Sequence, residues 1–503
     1  MIEIKEDYRF DQEVVTMGKE QLKCLFVSTE VSPFAKTGGL ADVIGALPKK
    51  LREHDIDARV VMPYYSRMKN QFFDHESHFV TSYDVYLGWR IQGVGVYYDN
   101  SILPTYFLKS DTYFSRPQLY GYQDDYERFA FFCKAVLEMI RHIDFMPDII
   151  HCHDWQTGPL CLLLKDKYRK DKFFSKIKIV YTIHNLKHQG LFGREALDVL
   201  ELGNEYMTSE RIEYHGAVSY MKAGLLYSDQ ITTVSPTYAE EIKTYEYGCG
   251  LDRLIGEKLY DKIQGILNGI DYDVYNPQYD EYIYKNYTWR SIKRKQENKK
   301  QFQKEYHLEE KDCMLIGVVS RITDQKGFEL MKDAIKGIWV MDKIMSLNVQ
   351  FVILGMGDKE YEDMFKHLAY KYPTRTKVFL TFNEVLAKKI YASCDVFLMP
   401  SLFEPCGLRQ LIAMRYGAVP IVRKTGGLKD TVLHYDMATR EGNGFEFEAC
   451  SGYWMYKKIE EAYRLYSEQP ENFKTVQLNG MKKNFSWHEA ALRYIALYSS
   501  IIK

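Results

Sequence analysis

Lys36-Thr37-Gly38-Gly39-Leu40-Ala41-Asp42 joins a full positive charge to a glycine turn, and glycines let backbone amides come close to a ligand. Between a strand and a helix, such a turn offers amides and the positive end of the helix dipole to an anion. A plain turn with a helix cap and a solvated lysine fits the same residues. Arg321 and Lys326, in Ser320-Arg-Ile-Thr-Asp-Gln-Lys-Gly327, supply a planar fork and a point charge suited to phosphate oxygens, the simpler alternative being a surface ion pair. Glu404 opens Glu404-Pro-Cys406-Gly407-Leu408, where a carboxylate acceptor stands beside amides at the start of a helix that it could equally cap. His184 and Asn185 end one strand and Asp154 ends another, next to His153 and His151. A lone buried histidine is usually structural, but polar residues leaving parallel strands at one edge are harder to explain as packing. Lys424-Thr425-Gly426-Gly427-Leu428-Lys-Asp430 repeats the first turn almost residue for residue and would add amides to a phosphate site.

Positioning these residues requires parallel strands covered by helices. Short apolar, β-branched runs alternate with segments of helical period, which predicts an α/β fold. Strands are expected at 22–30, 57–63, 148–151, 179–184 and 230–235, with a helix at about 41–54 after the first glycine turn. The alternation restarts at 314–320, 349–355, 378–382, 395–400 and 419–423. This predicts two doubly wound, Rossmann-like domains joined near residue 270. The expected division is an extension at 1–21, domains at 22–270 and 271–485, and a last helix at 486–503 packing back toward the first domain. Ligands of open α/β sheets bind at the carboxyl ends of the strands, so the facing domains enclose one deep cleft.

The chain has 503 residues, more than one hydrophobic core usually serves, with 46% hydrophobic and 27% charged residues. Its 67 Lys+Arg against 68 Asp+Glu lack the overall basic field of a nucleic-acid binder, and the basic stretch 293–300 reads as a solvated helix face. Nine scattered cysteines with no Cys-x-x-Cys pair read as reduced thiols, and no apolar run is long enough for a membrane span. With a charged amino terminus, these features point to a cytoplasmic protein and no membrane partner. Dinucleotide, P-loop and zincin motifs are absent. Asp271-Tyr-Asp273 has the form of a metal-binding Asp-x-Asp but follows an Asn-Gly turn, and Asn268 within that turn is a further cleft candidate.

KTGGLADVIGALPK at 36–49, HDW at 153–155, TIHNLKHQGLFG at 182–193, KAGLLYSDQITTVSPTYAEEI at 222–242, LNGID at 267–271, SRITDQKG at 320–327 and the run from 399 to 432 together resemble the bacterial glycogen synthases and plant starch synthases. The resemblance covers roughly residues 22–500. It implies a retaining glycosyltransferase of the two-domain GT-B architecture, carrying glucose from a nucleotide sugar to the non-reducing end of an α-1,4-glucan. It further implies Arg321 and Lys326 at the departing diphosphate, Glu404 at the transferred glucose, His184 at its 6-hydroxyl and Asp154 on the acceptor side. Lys36, Gly38, Gly39, Asp42, Asn185, Asn268, Cys406, Gly407, Leu408, Thr425, Gly426 and Gly427 are expected to bind substrate. Tyr113 and the segment 126–132 match positions near the donor nucleotide, with core packing the alternative. No cofactor and no metal are expected. The bacterial and plant relatives imply ADP-glucose, with UDP-glucose the alternative donor; a GT-B enzyme with another acceptor, or a silent glucan-binding protein, are the competing readings. Gln156 stands where many bacterial members carry histidine, and Ile412 where many other retaining GT-B enzymes carry a second glutamate.

Overall fold

The computed structural model describes residues 21–68 and 78–502, so most of the expected extension at 1–21 lies outside the described residues. The first sheet runs in the order Ile263–Gly265, Gln230–Thr233, Lys178–Ile183, Ile149–His153, Lys23–Val27, Asp57–Pro63, Thr105–Lys109, Arg90–Asp99, Phe79–Leu87. Its first seven strands are mutually parallel, and the last two add an antiparallel edge. The second sheet, in the order Thr376–Phe379, Val349–Leu354, Met314–Val319, Val396–Met399, Val419–Arg423, Phe445–Phe447, is parallel throughout. Central strands such as Met314–Val319 and Val349–Leu354 are buried along their whole length, as strands covered on both faces must be. The expected α/β class with two doubly wound sheets is therefore the observed one.

The antiparallel edge was not expected from the sequence. Its strands, FVTSYDVYL and RIQGVGVYYD, mix apolar and polar residues and bury only part of their length, so they lack the continuous apolar signal of the buried strands.

Helix Gly39–Arg52 starts from an extended Gly38 and buries Leu40, Val43, Ile44, Leu47 and Leu51 against the first sheet. The last helix, Trp487–Ile502, returns from the second domain and places Tyr494 and Tyr498 in the first core. The two crossings between domains run side by side: Ile270 bridges Ser486, and its amide donates to Phe485 O at 2.8 Å. Among the described residues no helix is long and apolar enough to cross a membrane, and all nine cysteines are unpaired.

Candidate active site

Both sheets turn the carboxyl ends of their strands toward one cleft of about 540 Å³. Lys36 stands in it, 2.7 Å from Asp42 Oδ1 and 2.8 Å from Glu384 Oε1, and so ties the first domain to the second. Burial works against its charge, but Asp42 and Glu384 outweigh burial and hold the ammonium above its usual range. The amides of Thr37 and Gly38 donate to Glu30 Oε2 at 2.5 and 3.2 Å, and the Thr37 and Tyr120 hydroxyls donate to Glu30 Oε1 at 2.6 and 2.9 Å. An internal carboxylate thus occupies the amides that the sequence reading offered to a ligand. The glycines nevertheless leave room: a Cβ on Gly38 would meet nothing within 4 Å, and one on Gly39 only Leu408 Cδ1 at 3.7 Å.

Across the cleft, Lys326 Nζ lies 2.5 Å from Glu404 Oε2, and the Ser401 hydroxyl donates to the same oxygen at 2.9 Å. Burial pulls the Lys326 ammonium below its usual range in spite of Glu404. Their meeting depends on Gly327, which at φ +72° brings its Cα so close to the 400–401 loop that a Cβ would lie 2.0 Å from Pro400 O. Arg321 is exposed at the rim, and Arg409, which opens the helix that follows Glu404, lines the same cleft near Tyr391. Cys406, Gly407 and Leu408 also line it, as does Asn268, whose buried Oδ1 has no partner.

The remaining wall is polar and half-buried. Asp154 adopts φ 58° and ψ 178°, a backbone region that residues other than glycine rarely occupy, and strain of this kind concentrates at functional sites. Its Oδ1 accepts the His184 amide at 2.8 Å. Burial raises the carboxyl to about 7, against the amides of His184 and Asn185, which favour the ionised form. Burial also lowers His184 to about 3. Behind it, His153 Nδ1 lies 3.0 Å from His184 Nε2, and His151 joins Tyr498 and Thr182 at 2.7 and 2.6 Å. Gln156 lines the cleft with its buried Oε1 unpartnered. Cations on both walls, a carboxylate facing one of them and a strained, polar pocket suit the transfer of a polyhydroxylated group away from an anionic leaving group.

Residues 23–257 match the family model described as starch synthase catalytic domain, and residues 299–475 match glycosyl transferases group 1. A glycogen synthase of Bacillus cereus is 47% identical over 96% of this chain and all of its own length, and one of Clostridium novyi is 46% identical over 96% and 99%. The chain belongs to the glycogen synthase family. A solved structure agrees: the catalytic domain of Arabidopsis thaliana starch synthase IV, bound to ADP and acarbose, superposes with a TM-score of 0.89 at 32% identity, covering 96% of this chain and 100% of that one. Sucrose-phosphate synthase from Thermosynechococcus elongatus, at 16% identity and a TM-score of 0.60 with 95% and 99% coverage, shares the GT-B fold. As a family member the chain is a glycosyltransferase acting on a nucleotide sugar and a glucan.

Two expectations for this glycogen synthase family site need correction. Tyr113 does not reach the cleft; it is 3% exposed, its hydroxyl donates to Glu127, and its ring packs 4.7 Å from Phe131. Thr425, Gly426 and Gly427 are likewise absent from the cleft lining. The Thr425 hydroxyl and Gly426 amide donate to Glu241 Oε1 at 3.0 and 2.9 Å, and the Gly427 amide donates to Glu404 O at 3.1 Å, so these groups are occupied inside the protein. Glu30, Tyr120, Tyr275, Phe382, Glu384 and Arg409 line the cleft without having been singled out from the sequence. Arg409 could have been found, since it lies in the same run as Glu404; Glu30 carries a weaker signal, as a charged residue closing an apolar strand.

Proposed function

We propose that the chain transfers glucose from ADP-glucose to the non-reducing end of an α-1,4-glucan with retention at the anomeric carbon. The observation that supports this most is the Lys326–Glu404 pair, flanked by Arg321 and Arg409 on one wall of the cleft and faced by Lys36 on the other. Negative charge grows on the leaving diphosphate as the glycosidic bond breaks, and positive charge grows on the sugar. On this reading the diphosphate recruits Lys326, Arg321 and Lys36, freeing the Glu404 carboxylate to face the anomeric carbon. Asp154 and Gln156 serve the acceptor side, and His184, Asn185 and Asn268 the transferred sugar. Gly38 and Gly39 provide close approach to the donor, with Cys406, Gly407 and Leu408 beneath it.

These cations fill the electrostatic role of a metal, and Asp271 and Asp273 are not among the residues lining the cleft; we therefore propose metal-independent turnover. The unpaired cysteines fit a reducing, cytoplasmic setting. The deciding experiment compares turnover of ADP-glucose and UDP-glucose on a glycogen primer, before and after exhaustive chelation. ADP-glucose should be preferred and the rate should survive chelation. Preference for UDP-glucose would overturn the donor, and a loss restored by magnesium or manganese would overturn the metal-free mechanism.

A further inference from the structure

We propose that His153 is a positioning residue that fixes the tautomer of His184, donating from its Nδ1–H to His184 Nε2 so that His184 presents Nδ1–H to the cleft. The proposal rests on the reading that His184 faces the transferred sugar. Strands Ile149–His153 and Lys178–Ile183 are parallel neighbours with His153 opposite Thr182, which carries His184 just past the strand end and beside the His153 ring. The shared contact, 3.0 Å between ring nitrogens, needs a single hydrogen. Both imidazoles are neutral, because burial depresses each of them, so each ring carries one N–H and one lone pair.

Two arrangements satisfy that contact, and the far side of His153 separates them. His153 Nε2 is buried and has no hydrogen-bond partner. The rings packed against it do not receive a hydrogen from it: the Phe26 ring is stacked with centroids 5.7 Å apart, the His151 centroid lies 4.2 Å away, and both His151 nitrogens are engaged by Tyr498 and Thr182. If His184 donated, His153 would carry its hydrogen on Nε2 and bury an N–H with nothing to receive it. If His153 donates, only a lone pair is left bare. Orphaned buried N–H groups are the rarer and costlier of the two. The contact therefore runs from His153 to His184, and the nitrogen of His184 left for the cleft is a donor. His184 then donates to an oxygen of the bound nucleotide sugar, and a role as proton acceptor for the incoming hydroxyl is closed to it.

The test reads the tautomer directly, on the full chain labelled with 15N-histidine, by two-bond nitrogen–hydrogen correlation. The pair is recognised by coupling across the shared hydrogen, and the His184 signals by their loss in His184→Gln. Both rings should be Nδ1–H tautomers, with His184 Nε2 and His153 Nε2 of the unprotonated type. A His184 ring protonated at Nε2 would overturn the proposal. No turnover is needed for this readout, so a wrong donor assignment would leave it standing. In parallel, His153→Leu should lower kcat about 10- to 100-fold with the donor KM within about twofold, by analogy with the loss of groups that orient a metal-bound imidazole. His153→Asn, whose side-chain N–H can replace Nδ1–H, should recover most of that loss. Equal losses in the two variants would overturn the donor role, and if His153→Leu fails to fold, the wild-type spectrum still decides.

Discussion

The two Lys-Thr-Gly-Gly-Leu turns share their sequence and differ in what surrounds them. In both, a carboxylate takes the amides of the turn: Glu30 at Thr37 and Gly38, Glu241 at Gly426. Glu30 belongs to the same domain as its turn, whereas Glu241 reaches across from the first domain to the second. Lys36 pairs with Asp42 and Glu384 inside the cleft, while Lys424 pairs with Glu446 and Glu448 away from it. Asp430, the counterpart of Asp42, receives the Thr237 amide and hydroxyl at 2.9 and 2.6 Å and so helps hold the domains together. Above Gly38 there is open space; at Gly426 and Gly427 an added Cβ would lie 2.1 Å from Glu404 O and Cys406 O. One motif thus lines the open cleft and again forms an interdomain clasp. The space over the glycines decides which.

The largest expected effect breaks this pairing at its lysines. Lys36→Ala should lower kcat/KM for the nucleotide sugar on the order of 100-fold, and Lys326→Ala or Arg321→Ala should lower kcat on the order of 100- to 1000-fold, as loss of a donor aimed at developing charge does. Lys424→Ala should stay within about twofold of the parent. A Lys424 loss comparable to that of Lys36 would mean that both turns face the donor.

The glycines come next, with stability as the readout. Gly427→Ala must displace backbone and should cost about 1–3 kcal/mol or more, seen as a lower urea midpoint. Gly39→Ala meets only an ordinary contact with Leu408; its stability should change by about 0.5 kcal/mol or less while the donor KM rises. If Gly39→Ala is as destabilised as Gly427→Ala, the open space over the first turn is not there.

Carboxyl groups extend the comparison to pH. Burial holds Asp154 at about 7 and Glu241 above its usual range. The unfolded chain releases these protons near pH 4 while the folded chain keeps them, so each contributes stability at acid pH that is lost as pH rises through its folded value. The Tm should therefore carry a downward component between pH 4.5 and 7.5. Asp154→Asn, in the cleft, and Glu241→Gln, at the clasp, should each flatten that slope in differential scanning calorimetry. An unchanged slope in Asp154→Asn would show that its carboxyl titrates normally.

How much of this was legible depended on what each residue touches. Ten of the thirteen parallel strands announced themselves because burial on both faces demands unbroken apolar runs, whereas Thr105–Lys109, Ile263–Gly265 and Phe445–Phe447 did not; Lys36, Arg321, Lys326, Glu404, His184 and Asp154, which line the cleft, were legible through the motifs that carry the family resemblance. The expectation for Tyr113 failed because an aromatic ring satisfies a core as readily as a nucleotide. The second glycine turn misled for a different reason: its sequence records the backbone conformation, and Glu241, the group that fills it, lies 185 residues earlier in the chain. Glu384 was silent because its partner Lys36 is 348 residues away, on the other domain.

The smallest expected effect concerns that last contact. Lys36 is shared between Asp42, in the first turn of the helix that follows it, and Glu384, whose side chain is 56% exposed at the cleft mouth. A donor diphosphate seeking Lys36 must compete with Glu384, and an ion pair this exposed is worth about 0.2–1 kcal/mol. Glu384→Gln should therefore lower the donor KM about two- to fivefold at low ionic strength and less at high salt, where the competing pair is already screened. Glu446→Gln, which relieves Lys424 in the same way, should leave the donor KM where it was. A raised KM in Glu384→Gln would reverse the assignment: the carboxylate would then be aiming Lys36 at the donor, and the first turn, like the second, would depend on a carboxylate from the opposite domain.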